Sequence, residues 1–180
     1  MDNSNELLPI VDNNGNVIGK VARGIAHNGT KILHPVVHLH IFSRPGDIYL
    51  QKRPTWKDVQ PGKWDTAVGG HIDYGEDIDS ALKREIYEEL GIVKCECEFV
   101  DRYIYESNVE KEMIYAYKTV LTEENIKPNP QELAGGRFWF MKEISENIGK
   151  NVFTPNFEYE YNNIFQLQTN SRTKNNTIFR

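Results

Sequence analysis

The sequence predicts an α+β fold, a mixed β-sheet with helices packed on it. Short apolar stretches separated by turn-forming residues make up most of the chain, and one long amphipathic stretch interrupts them midway. Over 180 residues, 39% are hydrophobic and 26% charged, which suits a globule with a sizeable core. Asp12-Asn13-Asn14-Gly15-Asn16 is a turn between apolar stretches and marks an N-terminal hairpin. Val36 to Phe42 alternates as a strand, Arg44-Pro45-Gly46-Asp47 turns the chain, and Ile48 to Gln51 returns as its partner. Alternation places His34, His38 and His40 on one face and Val37, Leu39 and Ile41 on the other. His38 and His40 are therefore expected on the polar face of a half-buried strand. Residues 54–66, with Pro54, Pro61 and Gly62, read as a loop, and Gly69-Gly70 opens a second loop.

The amphipathic stretch predicts a helix from about Asp77 to Leu90. Asp77 and Asp79 favour its first turn, Gly91 stops it, and Ile78, Ala81, Leu82, Ile86 and Leu90 form its apolar stripe. Further strands are expected at Glu96 to Tyr105, Met113 to Leu121 and Arg137 to Met141. A second helix is expected to begin near Pro155 and to include Tyr159, Ile164 and Phe165. With no internal repeat or domain-sized linker, residues 1–165 are expected to form one domain and residues 166–180 a flexible tail.

A net charge of −5 argues against holding a nucleic-acid polymer through bulk charge. No apolar run approaches a membrane span, and Met1 to Ile10 lacks the features of a secretory signal. The two cysteines, Cys95 and Cys97, suit neither a CxxC motif nor a disulfide framework; they read as inert thiols in a reducing cytoplasm. The acidity is concentrated. Residues 73–98 hold nine acidic and three basic side chains.

On the central helix, Glu85, Glu88 and Glu89 stand at i, i+3 and i+4, so three carboxylates share one side. Like charges this close call for a positive partner, and a hard divalent cation such as magnesium or manganese fits carboxylate oxygens best. A solvated acidic face balanced by Lys83 and Arg84 is the alternative. Gly70, five residues, Glu76, seven residues, then Arg84-Glu85-Ile86-Tyr87-Glu88-Glu89-Leu90-Gly91-Ile92 fills every fixed position of the Nudix box. The chain thus resembles the Nudix superfamily. That resemblance implies a sheet packed between helices, an α/β/α sandwich, and hydrolysis of a small-molecule diphosphate by metal-activated water. It assigns Glu85, Glu88 and Glu89 to Mg2+ (or Mn2+), with the Gly69 and Gly70 carbonyls nearby. It also pairs Arg84 with Glu76 and makes Glu132 a candidate ligand or base, with a surface-loop role as the alternative.

A closer resemblance is to the isopentenyl diphosphate isomerases, which share the Nudix fold. His27, Leu33-His34, Arg53-Pro54-Thr55-Trp56-Lys57, Pro61-Gly62-Lys63-Trp64, Gly70-His71, Glu110-Lys111-Glu112 and Phe153-Thr154-Pro155 carry it. It implies a second metal site of His27, His34, His71, Glu110 and Glu112, suited to zinc, manganese or iron. The departures matter. The isomerase acid/base cysteine falls at Gly69 and its carbocation-facing Trp at Asn156, while a basic isomerase residue falls at Glu85. Loss of those groups beside an intact box favours hydrolysis over isomerisation, with a non-catalytic diphosphate binder as a third reading. Lys52, Arg53, Lys57 and Lys63 gather positive charge, and Arg53 and Lys57 are the candidate phosphate contacts. Trp56, Trp64 and Trp139 read as core residues before stacking platforms. A homodimer is a family-level expectation.

Overall fold

The structure, a computed structural model, describes residues 4–57 and 59–165. The N-terminal turn closes a hairpin of β1 (Leu7–Val11) and β2 (Val17–Ala22). Asp12 Oδ1 fixes it by accepting the backbone N–H groups of Asn14 at 2.8 Å and Asn16 at 2.9 Å. A four-residue helix, α1 (Arg23–Ala26), follows; it is too short to leave a periodic signal.

The main sheet is organised around β3 (Leu33–Phe42). Along its whole length β3 runs parallel to β8 (Lys111–Val120), and β7 (Glu98–Glu106) lies antiparallel beyond. On its other edge β3 takes two partners in succession: Val36 to Leu39 pair with β6 (Val68–His71), then Ile41 and Phe42 pair with β4 (Ile48–Lys52). Strand β4 also pairs with the short β5 (Trp64–Asp65) and with β9 (Gly135–Trp139). This fork between β4 and β6 positions the candidate site.

Helix α2 (Ile78–Leu90) covers one face. Asp77 caps it by accepting from the Ser80 backbone N–H at 3.0 Å, and Gly91, at φ 64°, ends it in the left-handed conformation. Ala81, Leu82, Ile86 and Leu90 pack against Val37, Leu39 and Ile41 of β3. Each buried Leu or Ile there contributes about 1.5–3 kcal/mol of apolar burial. On the opposite face, α3 (Met141–Asn147), α4 (Pro155–Glu160) and the residues flanking α4 bring Ile144, Phe153, Phe157 and Tyr161 against Ile48, Leu50 and Trp139. The sheet is sandwiched, as expected.

Several expectations are corrected. Strand β3 is buried from Leu33 to Ile41, so His38 and His40 lie inside rather than on a half-solvated face; α4 covers them. Gly69 and Gly70 belong to strand β6, because paired backbone rather than side-chain burial holds that segment. Trp64 and Asp65 form a short strand inside the expected loop. The expected strand to Met141 stops at Trp139, where the Glu143 carboxylate accepts the Phe140 backbone N–H at 3.0 Å and starts α3. The helix beginning at Pro155 changes to a wider π-type turn at Tyr161–Phe165. Strand β7 starts at Glu98 rather than Glu96, so Cys97 as well as Cys95 precedes it, and their sulfurs are 3.5 Å apart as free thiols. The expected tail lies outside the described residues.

Candidate functional site

A cavity of about 1180 Å³ opens where β3 forks, and Glu85, Glu88 and Glu89 of α2 line one end of it. Glu85 enters because Gly70 has no side chain: a Cβ there would overlap the Glu85 carboxylate. Glu89 Oε2 accepts from Gln51 Nε2 at 3.2 Å and from the Gly69 backbone N–H at 3.3 Å. Both sides of the fork thus hold the same carboxylate. Gly69 and Gly70 themselves line the cavity.

Arg84 ties this corner together. Its Nε and Nη2 donate to the two Glu76 oxygens at 3.0 and 2.8 Å, and Nη1 donates to Glu85 at 2.6 Å and to Glu88 at 3.4 Å. Its Nη2 also donates to the His71 carbonyl at 2.9 Å. Hydrogen bonding from Arg84 holds the Glu76 carboxyl below its usual range. Burial raises Glu85 to about 7 despite Arg84, and burial followed by the charge of Glu85 pushes Glu89 well above the carboxylate range. Arg84 offsets only part of the burial of these carboxylates. The oxygen-only donors of this corner fit a hard divalent cation.

Arg53, Lys57 and Glu132 also line the cavity. Arg53 Nη1 donates to Asp65 at 3.2 Å and its Nε to the Val59 carbonyl at 3.0 Å. Lys57 pairs with Glu132 at 3.3 Å, which brings the surface-loop candidate into the same space. The tryptophans do not line it. Trp64 and Trp139 meet at 5.0 Å between ring centres in the core, while Trp56 is half exposed beneath Lys57.

The other end of the cavity is built from imidazoles. One ligand nitrogen each from His27, His34 and His71 lies within 4.8 Å of the others. They come from the end of α1, from β3 and from β6, so sequence proximity alone does not join them. Glu110 Oε2 lies 3.2 Å from His27 Nδ1, and Glu112 is buried in β8. The two carboxylates are thus recessed rather than exposed strand charges. Burial lowers His34 and drives His71 well below its usual value, so the rings favour the neutral, ligating form. His34 Nε2 is buried without a hydrogen-bond partner among the described residues, an opening that a metal would fill. Burial, then the charge of Glu110, raises Glu112 to about 8.

Sequence reasoning missed a buried group beside these clusters. Glu160, fully buried on α4, accepts from His38 Nδ1 at 3.0 Å and from the Tyr103 hydroxyl at 2.6 Å, with His40 Nε2 at 3.3 Å. Burial opposes its charge, yet His40 and His38 hold its carboxyl below the usual range. Burial likewise opposes the charge on His38, but Glu160 raises it to about 9. The available signal was the His38/His40 alternation; nothing local pointed to a partner 122 residues away.

The NUDIX domain profile matches residues 32–157. An isopentenyl-diphosphate Delta-isomerase of Photorhabdus laumondii is 30% identical over 169 residues, covering 89% of this chain and 96% of that protein. An uncharacterised Nudix hydrolase of Streptomyces coelicolor is 30% identical over 156 residues, covering 86% of each. Among solved structures, a Deinococcus radiodurans protein superposes with a TM-score of 0.71 at 20% identity, covering 83% of this chain and 92% of its own. The chain belongs to the Nudix family, on its isopentenyl-diphosphate-isomerase-like branch. It is an enzyme of the pyrophosphohydrolase class. Among the described residues, no helix is long and apolar enough to cross a membrane.

Proposed function

We propose that this enzyme hydrolyses the diphosphate linkage of a small organic diphosphate with magnesium or manganese as cofactor. The recessed Glu85 and Glu89 carboxylates carry the reading, because burial disfavours their charge even with Arg84 at hand, and Arg53 and Lys57 line the same cavity. Glu85, Glu88 and Glu89 would hold the cation, and a Gly69 or Gly70 backbone carbonyl would add an oxygen ligand. When bound, such an ion neutralises phosphate charge and makes a coordinated water more acidic. Arg53 and Lys57 orient the phosphates, releasing Asp65 and Glu132 as they do so. Glu132 is then free to take the proton of the attacking water. Arg84 and Glu76 hold the helix and its approach loop in register.

His27, His34 and His71, with Glu110 and Glu112, form the second metal site of this reading, suited to zinc, manganese or iron. The acidic chain and its free thiols support a cytoplasmic enzyme of free small molecules rather than of a nucleic-acid polymer. A homodimer and a single domain over residues 1–165 complete the proposal.

The test is a screen of organic diphosphates with magnesium or manganese, followed by phosphorus NMR. New phosphate or phosphomonoester signals are the expected result. The histidine cluster supports isomerisation as the second reading, although Gly69 and Asn156 supply neither thiol nor indole. Solvent deuterium in a recovered allylic diphosphate, with no phosphate released, would overturn hydrolysis. Tight metal-dependent binding without any product would make the protein a sensor instead.

A further inference from the structure

The floor of the cavity between the two clusters is formed by His38 and Gly69, cross-strand neighbours on β3 and β6. A Cβ on Gly69 would stand 3.5 Å from His38 Nε2. Glycine at this position therefore leaves that edge of the imidazole open to the cavity. The opposite ring nitrogen is committed to Glu160, which Tyr103 and His40 hold in turn, so the ring is fixed with Nε2 outward.

Asn156 lies one helical turn before Glu160 on α4. Residues four apart share a helix face, so α4 presents Asn156 alongside the carboxylate that grips His38. Asn156 lines the cavity, and its side-chain oxygen is buried without a hydrogen-bond partner among the described residues. A buried polar atom of this kind is costly unless something bonds to it.

The lining also excludes alternatives. Tyr105 is the only aromatic side chain other than histidine on this wall among the described residues, so no pair of rings is present to sandwich a base. The apolar side chains are scattered valines and prolines, and a prenyl chain here would desolvate His38, Glu112 and Asn156 without replacing their hydrogen bonds.

We propose that His38 and Asn156 form a hydrogen-bonding subsite for a hydroxylated X group, a sugar or polyol joined to the diphosphate. Each hydroxyl of such a group both donates and accepts, so the group can donate to the Asn156 oxygen and bond the His38 nitrogen. The inference rests on the proposed diphosphate chemistry, which anchors the phosphates at the carboxylate end and directs X along this floor.

The test uses methylene-bridged analogues of glucose 1-diphosphate, dimethylallyl diphosphate and methyl diphosphate, whose bridge cannot be hydrolysed. Their dissociation constants are measured by calorimetry with magnesium on the full chain. The glucose analogue is expected to bind at least about tenfold more tightly than either other compound. Asn156→Leu should reduce its advantage over the methyl analogue by about tenfold, and His38→Gln should do the same if the leucine variant does not fold. A wild-type preference for the dimethylallyl analogue, or an unchanged advantage in the folded variant, overturns the subsite. The readout is binding, so failure of every hydrolysable diphosphate to release phosphate would count against the hydrolase reading alone.

Discussion

The two ends of the cavity solve opposite electrostatic problems within one sheet. At the α2 end, recessed carboxylates resist ionisation because burial and mutual repulsion oppose their charge. At the α1 end, recessed imidazoles resist protonation for the corresponding reason. The oxygen donors of the first end suit a hard cation, and the nitrogen donors of the second suit a borderline metal. Arg84 spans them, since the guanidinium that grips Glu76, Glu85 and Glu88 also donates to the His71 carbonyl. Burial alone therefore does not define a metal site; the donor type and its neutral or charged resting form do.

The comparison breaks most sharply at Glu89. Replacement by Gln should lower kcat/KM by more than about a hundredfold while circular dichroism shows an intact fold. Near-normal turnover in that variant would remove the carboxylate end from the chemistry. Arg84→Ala comes next: loss of its bonds should reduce activity by about tenfold and stability by about 1–3 kcal/mol, read by kinetics and urea unfolding. His34→Ala sharpens the other end. It should abolish zinc binding in equilibrium dialysis while magnesium-dependent hydrolysis changes by less than about threefold. A hundredfold fall in hydrolysis instead would merge the two ends into one catalytic unit.

The smallest effect is in pH dependence without metal. Glu85 titrates near 7 in the folded protein against 4.5 as its ordinary value, so between these limits the native state holds more protons than the unfolded one. Stability of the wild type should therefore fall relative to Glu85→Gln as pH rises from 4.5 to 7, and magnesium should reverse the fall. Parallel melting curves for the two proteins across that range would show that Glu85 is not desolvated.

Residues close in sequence made the carboxylate end legible. Glu85, Glu88 and Glu89 share one helix face by spacing alone, and Asp77 and Gly91 delimit that helix almost to the residue. The hairpin at Asp12 to Asn16 and the return from β3 to β4 were readable for the same reason. The histidine end emerged through resemblance, since His27, His34 and His71 converge only when β3 and β6 pair. Glu160 was not legible at all. One of two acids in a helix of six residues gives no periodic sign that it will be buried against two histidines of a distant strand. Gly69 and Gly70 misled as loop formers because their strand is specified by what approaches it, not by side chains of its own.

Gly70 carries a consequence for local stability. The bare backbone that admits Glu85 gives β6 little intrinsic strand preference, so its order depends on pairing with β3 and on Glu89 of α2 gripping the Gly69 N–H. Helix docking and ordering of this strand then form one cooperative unit. Amide protons of Val68 to His71 should exchange with solvent together with those of the helix from Glu85 to Leu90, and a bound cation should slow both sets alike.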